Sequence, residues 1–314
     1  MGWRSLFLTE GEHLDISIEQ ARLCIRRGSD RSAHFRIEDI NFILIDSYNF
    51  SISGRALELI AKQHIPLVVT SSKDHMPVAQ LSNPYSSHHR IGSIVTRQSR
   101  LSRKVRFRLW QEIIGYKISS QGLLIDEPEQ SAEACARAKE AGSETSLLGI
   151  EGSWAKFYWS RLIDEEGFSR VPKVYGNPND TMNSFLNYAY AILRARVSSA
   201  IAESGMMPLF SVFHRRDYNP FALADDLIEP YRWCADWVFR ENIEEISSQE
   251  DDFGLTPEMK KLALSVLHRR VFIPALHKSF GVDEAIRIGV RSFKEAMLSN
   301  ATCPIEEMLC ILPR

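Results

Sequence analysis

The sequence predicts an α+β protein, with a small N-terminal β-rich domain followed by a larger all-helical one. Three observations carry this. Short alternating apolar segments recur through the first eighty or so residues. The polar, proline-bearing segment SNPYSSHHR, residues 82–90, then separates two periodicities. Beyond it, apolar residues recur at helical spacing. The expected boundaries are 1–83 for the β-rich domain, 84–96 for a linker and 97–314 for the helical domain.

In the first domain, strands are expected at 3–8, 14–18, 22–26, 34–37 and 42–45, most of them bounded by Gly, Ser, Asp or Asn. One short helix interrupts them. Ser53 is its cap, and Ala56, Leu57, Ile60 and Ala61 form its apolar stripe. The strand IPLVVT follows from Ile65. In the second domain, Leu101, Val105, Trp110, Ile113 and Ile114 mark a first helix with Arg and Lys between them. Further helices are expected at 131–141, 147–163, 183–201, 221–239, 257–271 and 282–298.

The chain has 314 residues, 44% of them hydrophobic and 25% charged, the balance of a soluble globular protein. No apolar run approaches the roughly 20 residues of a membrane span. The N-terminus carries acids early and lacks the apolar core of a signal peptide, so a cytoplasmic location and no membrane association are expected. Cys24, Cys135, Cys234, Cys303 and Cys310 are dispersed and form no CxxC pair, which argues against a disulfide framework or a zinc-thiolate site.

Net charge is −2, but it is strongly segregated. Residues 88–117 hold eight Lys and Arg against one acid, Glu112. Arg97, Arg100, Arg103, Lys104, Arg106 and Arg108 form a candidate patch for nucleic-acid phosphates. An exposed helix with no ligand is the plain alternative.

Two stretches could carry chemistry. In SLLGIEGSWAKFYWSRL, Glu151 falls on the same helical face as Leu147, Leu148, Trp154, Ala155, Tyr158 and Leu162. A carboxylate in an apolar stripe needs a partner, which a buried arginine or a metal ion would equally supply. In FHRRDYNPFALADDLIEPYR, Asn219 and Pro220 open a helix. Asp225, Asp226, Arg232, Trp233 and Asp236 lie within about 60° of Glu229 on the wheel. A solvated acidic face explains most of this. It does not explain Pro230 inside the helix, which costs about 3 kcal/mol, nor Trp233 among the acids. His214 closes an apolar run and is followed by Arg215 and Arg216, residues suited to a phosphate. A histidine with two carboxylates can hold Mg²⁺ or Mn²⁺. No spacing here is diagnostic by itself.

Four segments together resemble one family, the CRISPR adaptation integrases, or Cas-one family. LLGIEG from Leu147 resembles the family's catalytic-glutamate helix. NSFLNYAYAILRA from Asn183 resembles its Asn-rich helix. FHRRDYNPFALADDLIEPYR resembles the motif of the other two catalytic positions, and the 40–69 segment INFILIDSYNFSISGRALELIAKQHIPLVV resembles part of its β domain. The glutamate followed by Pro, an aromatic and Arg resembles the type II branch.

The resemblance implies Glu151, His214 and Glu229 as catalytic metal ligands, with Asp226 in support; which of Asp225 and Asp226 turns to the ion stays open. It implies a catalytic helical domain and a homodimer built through the β-rich domain. It also implies a small ferredoxin-like adaptation partner joining two such dimers, double-stranded DNA as substrate, and other type II CRISPR proteins as further partners. The expected activity is metal-dependent joining of the 3′-hydroxyl ends of new spacer DNA into the repeat array by transesterification, with endonuclease activity when water attacks. A DNA-repair nuclease without integration, and a non-catalytic dimeric DNA-binding scaffold, are the competing readings.

Overall fold

The computed structural model describes residues 4–9, 11–28, 31–71, 77–81, 90–163, 170, 181–214, 219–248 and 255–312. The chain divides into two compact units, Met1–Ile91 and Gly92–Arg314. Of the expected linker, 84–89 lies outside the described residues and 91–96 is helical.

Among the described residues, the first unit holds eight strands: β1 (Arg4–Thr9), β2 (Leu14–Glu19), β3 (Arg22–Arg27), β4 (Arg31–Arg36), β5 (Ile40–Asp46), β6 (Phe50–Ile52), β7 (Leu67–Thr70) and β8 (Pro77–Leu81). They form two four-stranded sheets, in the orders β1-β5-β7-β8 and β4-β3-β2-β6. Strand β5 pairs in parallel with β1 and β7. That position explains its sequence: INFILID is apolar nearly throughout and buried at six of seven residues, as a strand covered on both faces must be. Strand β2 instead alternates, and Leu14, Ile16, Leu23 and Ile25 of β2 and β3 lie in the core shared by both sheets. Helix α1 (Gly54–Lys62) is capped by Ser53, whose Oγ accepts from the Ala56 N–H at 3.2 Å. It seals the core with Ala56 and Ile60.

The second unit is helical: α2 (Ile91–Ser99), α3 (Arg103–Leu124), α4 (Pro128–Glu140), α5 (Glu144–Leu162), α6 (Thr181–Glu203), α7 (Ala222–Leu227), α8 (Arg232–Glu241), α9 (Ile243–Ser247), α10 (Pro257–Leu264) and α11 (Val282–Leu298). Helix α6 is buried on every side from Phe185 to Ile201 save at Asn187, so it is the central helix of the unit. Two arginines on it are buried because acids meet them. Arg194 pairs with Asp225 at 2.5 Å, and Arg196 pairs with Asp283 and, at 2.9 Å, with Glu203.

Two expected helices are corrected. The 221–239 segment is not continuous. Helix α7 ends at Leu227, a 3₁₀ turn spans Glu229–Tyr231, and α8 restarts at Arg232. Pro230 is the cause: it has no N–H to give, and the tighter turn replaces the lost bond with Tyr231 N–H to the Ile228 carbonyl at 2.8 Å. The 257–271 segment also stops early, at Leu264. After a 3₁₀ turn at Ser265–His268 it becomes a strand, β9 (Arg270–Ile273), antiparallel to β10 (Lys278–Gly281). The helical unit therefore carries one small hairpin, where Val271 and Ile273 enter the core as alternating residues.

Candidate active site

Glu151 sits at the middle of α5, whose start is fixed by Ser143 accepting from the Ser146 N–H. Its neighbours on that face, Trp154 and Tyr158, are buried. The partner that its apolar stripe demanded is Lys117, from α3. Lys117 Nζ lies 2.5 Å from Glu151 Oε1 and 2.7 Å from Glu229 Oε2. Glu229 stands on the 3₁₀ turn, 5% exposed, and its other oxygen meets Arg232 Nη2 at 2.9 Å. One lysine thus joins two of the three expected ligands, from segments almost eighty residues apart in the chain.

His214 approaches through Asp226. The Asp226 carboxylate is fully buried and accepts three backbone N–H bonds, from Val212 at 2.6 Å, Phe213 at 3.2 Å and His214 at 3.0 Å. Its Oδ1 also meets His214 Nδ1 at 2.8 Å. This one side chain therefore folds the loop and orients the imidazole. With Nδ1 engaged by the carboxylate, Nε2 is the ring nitrogen left for a ligand. Trp110 of α3 packs against this loop, stacked on Phe213 at 4.6 Å and edge-on to His214. Asp225 turns elsewhere, to Arg194 and Asn219.

The electrostatics follow from these contacts. Burial alone would pull the Lys117 ammonium pKa down, but the Glu229 and Glu151 carboxylates reverse this and hold it above its ordinary value. Burial would raise the Glu229 carboxyl; Arg232 and Lys117 outweigh it and keep the group ionised below the usual carboxylate range. For His214, burial is outweighed by the Asp226 hydrogen bond and charge, so its pKa is raised.

The residues present fit a divalent cation. Glu229 Oε2 is buried and has no aligned hydrogen-bond donor, although Lys117 is close by. Two carboxylates and an oriented imidazole are a suitable donor set for Mg²⁺ or Mn²⁺. Their atoms stand apart, however. Among the described residues, the group of three His, Cys, Asp or Glu with ligand atoms all within 4.8 Å is Glu19, Cys24 and His34, in the first unit. There Arg26 already holds Glu19 at 2.9 Å.

A further layer backs the acids. Arg232 lies over the Tyr190 ring, 5.0 Å from its centroid. Tyr190 and Tyr158 both donate to Asp236, which is fully buried on α8. Sequence reasoning placed Glu151, His214, Glu229 and Asp226 as candidates, and the structure brings all four into this region. It missed Lys117 as a site residue and the two tyrosines as partners of Asp236. Lys117 had a signal: it follows Trp110 by seven residues and Ile113 by four, on a buried helical stripe.

The candidate DNA residues of 97–108 are spread over two helices, with Arg100 on the turn between them. Arg97 ends α2. Ser102 then caps α3, accepting from the Val105 N–H, and Arg103, Lys104, Arg106 and Arg108 occupy the first two turns. Arg97, Arg100, Arg103, Lys104 and Arg108 are exposed and Arg106 is half-buried. No acid stands in the first turn of α3, so these cations sit at the positive end of the helix dipole. Arg215 and Arg216 lie outside the described residues.

The profile of a protein family described as CRISPR associated protein Cas1 matches residues 7–278. A CRISPR-associated endonuclease Cas1 from Neisseria meningitidis serogroup C (strain 8013) is 32% identical over 297 residues, covering 94% of this chain and 92% of its own. Among solved structures, a casposase bound to integration product superposes with a TM-score of 0.78 at 20% identity, covering 96% of this chain and 94% of its own. A Cas6-RT-Cas1–Cas2 complex matches with a TM-score of 0.74 at 15% identity, over 96% of this chain and 36% of the other.

Proposed function

The chain belongs to the Cas1 family of CRISPR-associated proteins, and from that premise we propose that it is a metal-dependent DNA integrase and endonuclease of CRISPR adaptation. The observation that carries the reading is the convergence of Glu151 and Glu229 on one cationic point, with His214 aimed by Asp226 beside them. Glu151, His214 and Glu229 would hold Mg²⁺ or Mn²⁺. When bound, such an ion supplies positive charge to the scissile phosphate and to the leaving oxygen.

The chain's own residues do the rest. Asp226 engages the imidazole Nδ1 and so leaves Nε2 for a ligand, and Arg232 keeps Glu229 ionised. The exposed residues of 97–108 grip duplex phosphates; a cation cluster that costs α3 stability gains its purpose from an anionic ligand. The DNA substrate brings its own nucleophile. Its 3′-hydroxyl oxygen forms a bond to phosphorus as the opposite P–O bond breaks, so one phosphodiester replaces another. Water in the same place would cut the strand instead. The integration product named with the casposase favours joining over cutting alone. The complex naming Cas1 and Cas2 together supports a small adaptation partner. We further assign dimerisation to the 1–83 domain, a double-dimer assembly with that partner, and type II membership.

The test is strand transfer. The protein is incubated with its small partner, a 3′-hydroxyl duplex, a repeat-bearing supercoiled plasmid and Mn²⁺. Joined product is expected from the native chain and none from Glu151→Ala, with DNA binding and dimerisation retained. Cutting without joining would leave a nuclease, and full transfer by Glu151→Ala would overturn the ligand assignment.

A further inference from the structure

We propose that Lys117 is a built-in place-holder for the metal ion, and that it sets the ion concentration at which the site fills. This rests on the proposed metal site. The Lys117 ammonium lies 2.5 Å from Glu151 Oε1 and 2.7 Å from Glu229 Oε2, with its side chain only 12% exposed. A bound Mg²⁺ would lie about 2.1 Å from carboxylate oxygens. The two cations therefore compete for nearly the same point, and like charges in a poorly solvated place exclude each other.

Ammonium contacts are longer than metal–oxygen bonds, so the lysine bridges the two carboxylates without drawing them to ligation distance. The place-holder has a second effect. Without it, among the described residues, Glu229 would keep Arg232 as its ion-pair partner and Glu151 would have none in its apolar stripe. Lys117 thus keeps the metal-free site assembled and yields when an ion of higher charge arrives. It is a positioning residue, belonging to the metal-free state.

The experiment is calorimetric titration of Mn²⁺ into the full-length native chain, Lys117→Met and Glu229→Gln, with thermal unfolding of each in chelator. Lys117→Met is expected to bind Mn²⁺ at least about tenfold more tightly, the effect of removing one contact charge, while its metal-free Tm falls. Unchanged or weaker binding by Lys117→Met, alongside lost binding by Glu229→Gln, would overturn the place-holder and leave the metal site standing. Unchanged binding by Glu229→Gln would overturn the metal site, and the place-holder with it. A measurement on the native chain covers a variant that does not fold. Acylation of Lys117, followed by peptide mass spectrometry, is expected to speed up when Mn²⁺ saturates the protein. A rate that stays level or falls would overturn the proposal.

Discussion

Asp236 offers the clearest quantitative test of the layer behind the site. It is fully buried and held by the hydroxyls of Tyr158, at 2.8 Å, and Tyr190. Burial raises its carboxyl from 3.8 to about 6, against the two tyrosine bonds and the charges of Arg170 and Arg232, which lower it. A gap of about two units at about 1.4 kcal/mol each is worth roughly 3 kcal/mol. The folded pKa lies above the unfolded one, so the contribution to stability is fully present below about pH 3.8. It is lost as pH rises through about 6. Asp236→Asn cannot ionise and keeps one acceptor oxygen for the tyrosines. Relative to the native chain, its stability should therefore rise by roughly 2 kcal/mol between pH 4 and pH 7. Urea unfolding followed by tryptophan fluorescence measures this, because Trp110, Trp154, Trp159, Trp233 and Trp237 all lie in the Gly92–Arg314 unit. A stability difference that stays constant across that pH range would refute the reasoning.

Three further outcomes follow from single contacts. Asp226→Ala should cost at least about 3 kcal/mol, since three loop N–H groups and an imidazole lose their acceptor; chemical denaturation checks it, and Mn²⁺ affinity should fall with it. Ala21→Gly should stabilise the first unit by about 1 kcal/mol, because Gln20 and Ala21 form a two-residue hairpin turn with φ of 49° and 61°; an unchanged Tm for that unit would contradict it. Charge reversal at Arg103 and Arg106 should weaken duplex binding and flatten its salt dependence by about one log unit per lost contact, read by fluorescence anisotropy at several salt concentrations.

Much of this architecture could be read from the sequence, where the physics is local. Helix α11 was bounded to the residue by its apolar period, and Ser53 marked the start of α1. The β2–β3 turn was harder, because Gln-Ala carries no glycine signal although both residues adopt positive φ. The β9–β10 hairpin was hidden for another reason: RVFI continues the apolar count of the preceding helix, and only tertiary packing decides between the two periods. At the site, Glu151 announced its need for a cation through its apolar neighbours, but not which cation. That answer required α3 to lie against α5 and the 3₁₀ turn, a pairing that no local pattern encodes. Pro230 looked like a misplaced residue and is the reason Glu229 stands on a turn at all.

The order of these residues along the chain has a consequence for synthesis. Lys117, Glu151, His214, Glu229 and Arg232 are gathered from α3, α5, a loop, a turn and α8, with the buried α6 between the second and third. No contiguous fragment shorter than 117–232 contains them all. A ribosome-bound chain, or a proteolytic piece ending before Glu229, holds only part of the acid set. The acid set is thereby complete only once synthesis has passed Glu229, more than halfway through the Gly92–Arg314 unit, so a partly made chain carries an incomplete candidate site.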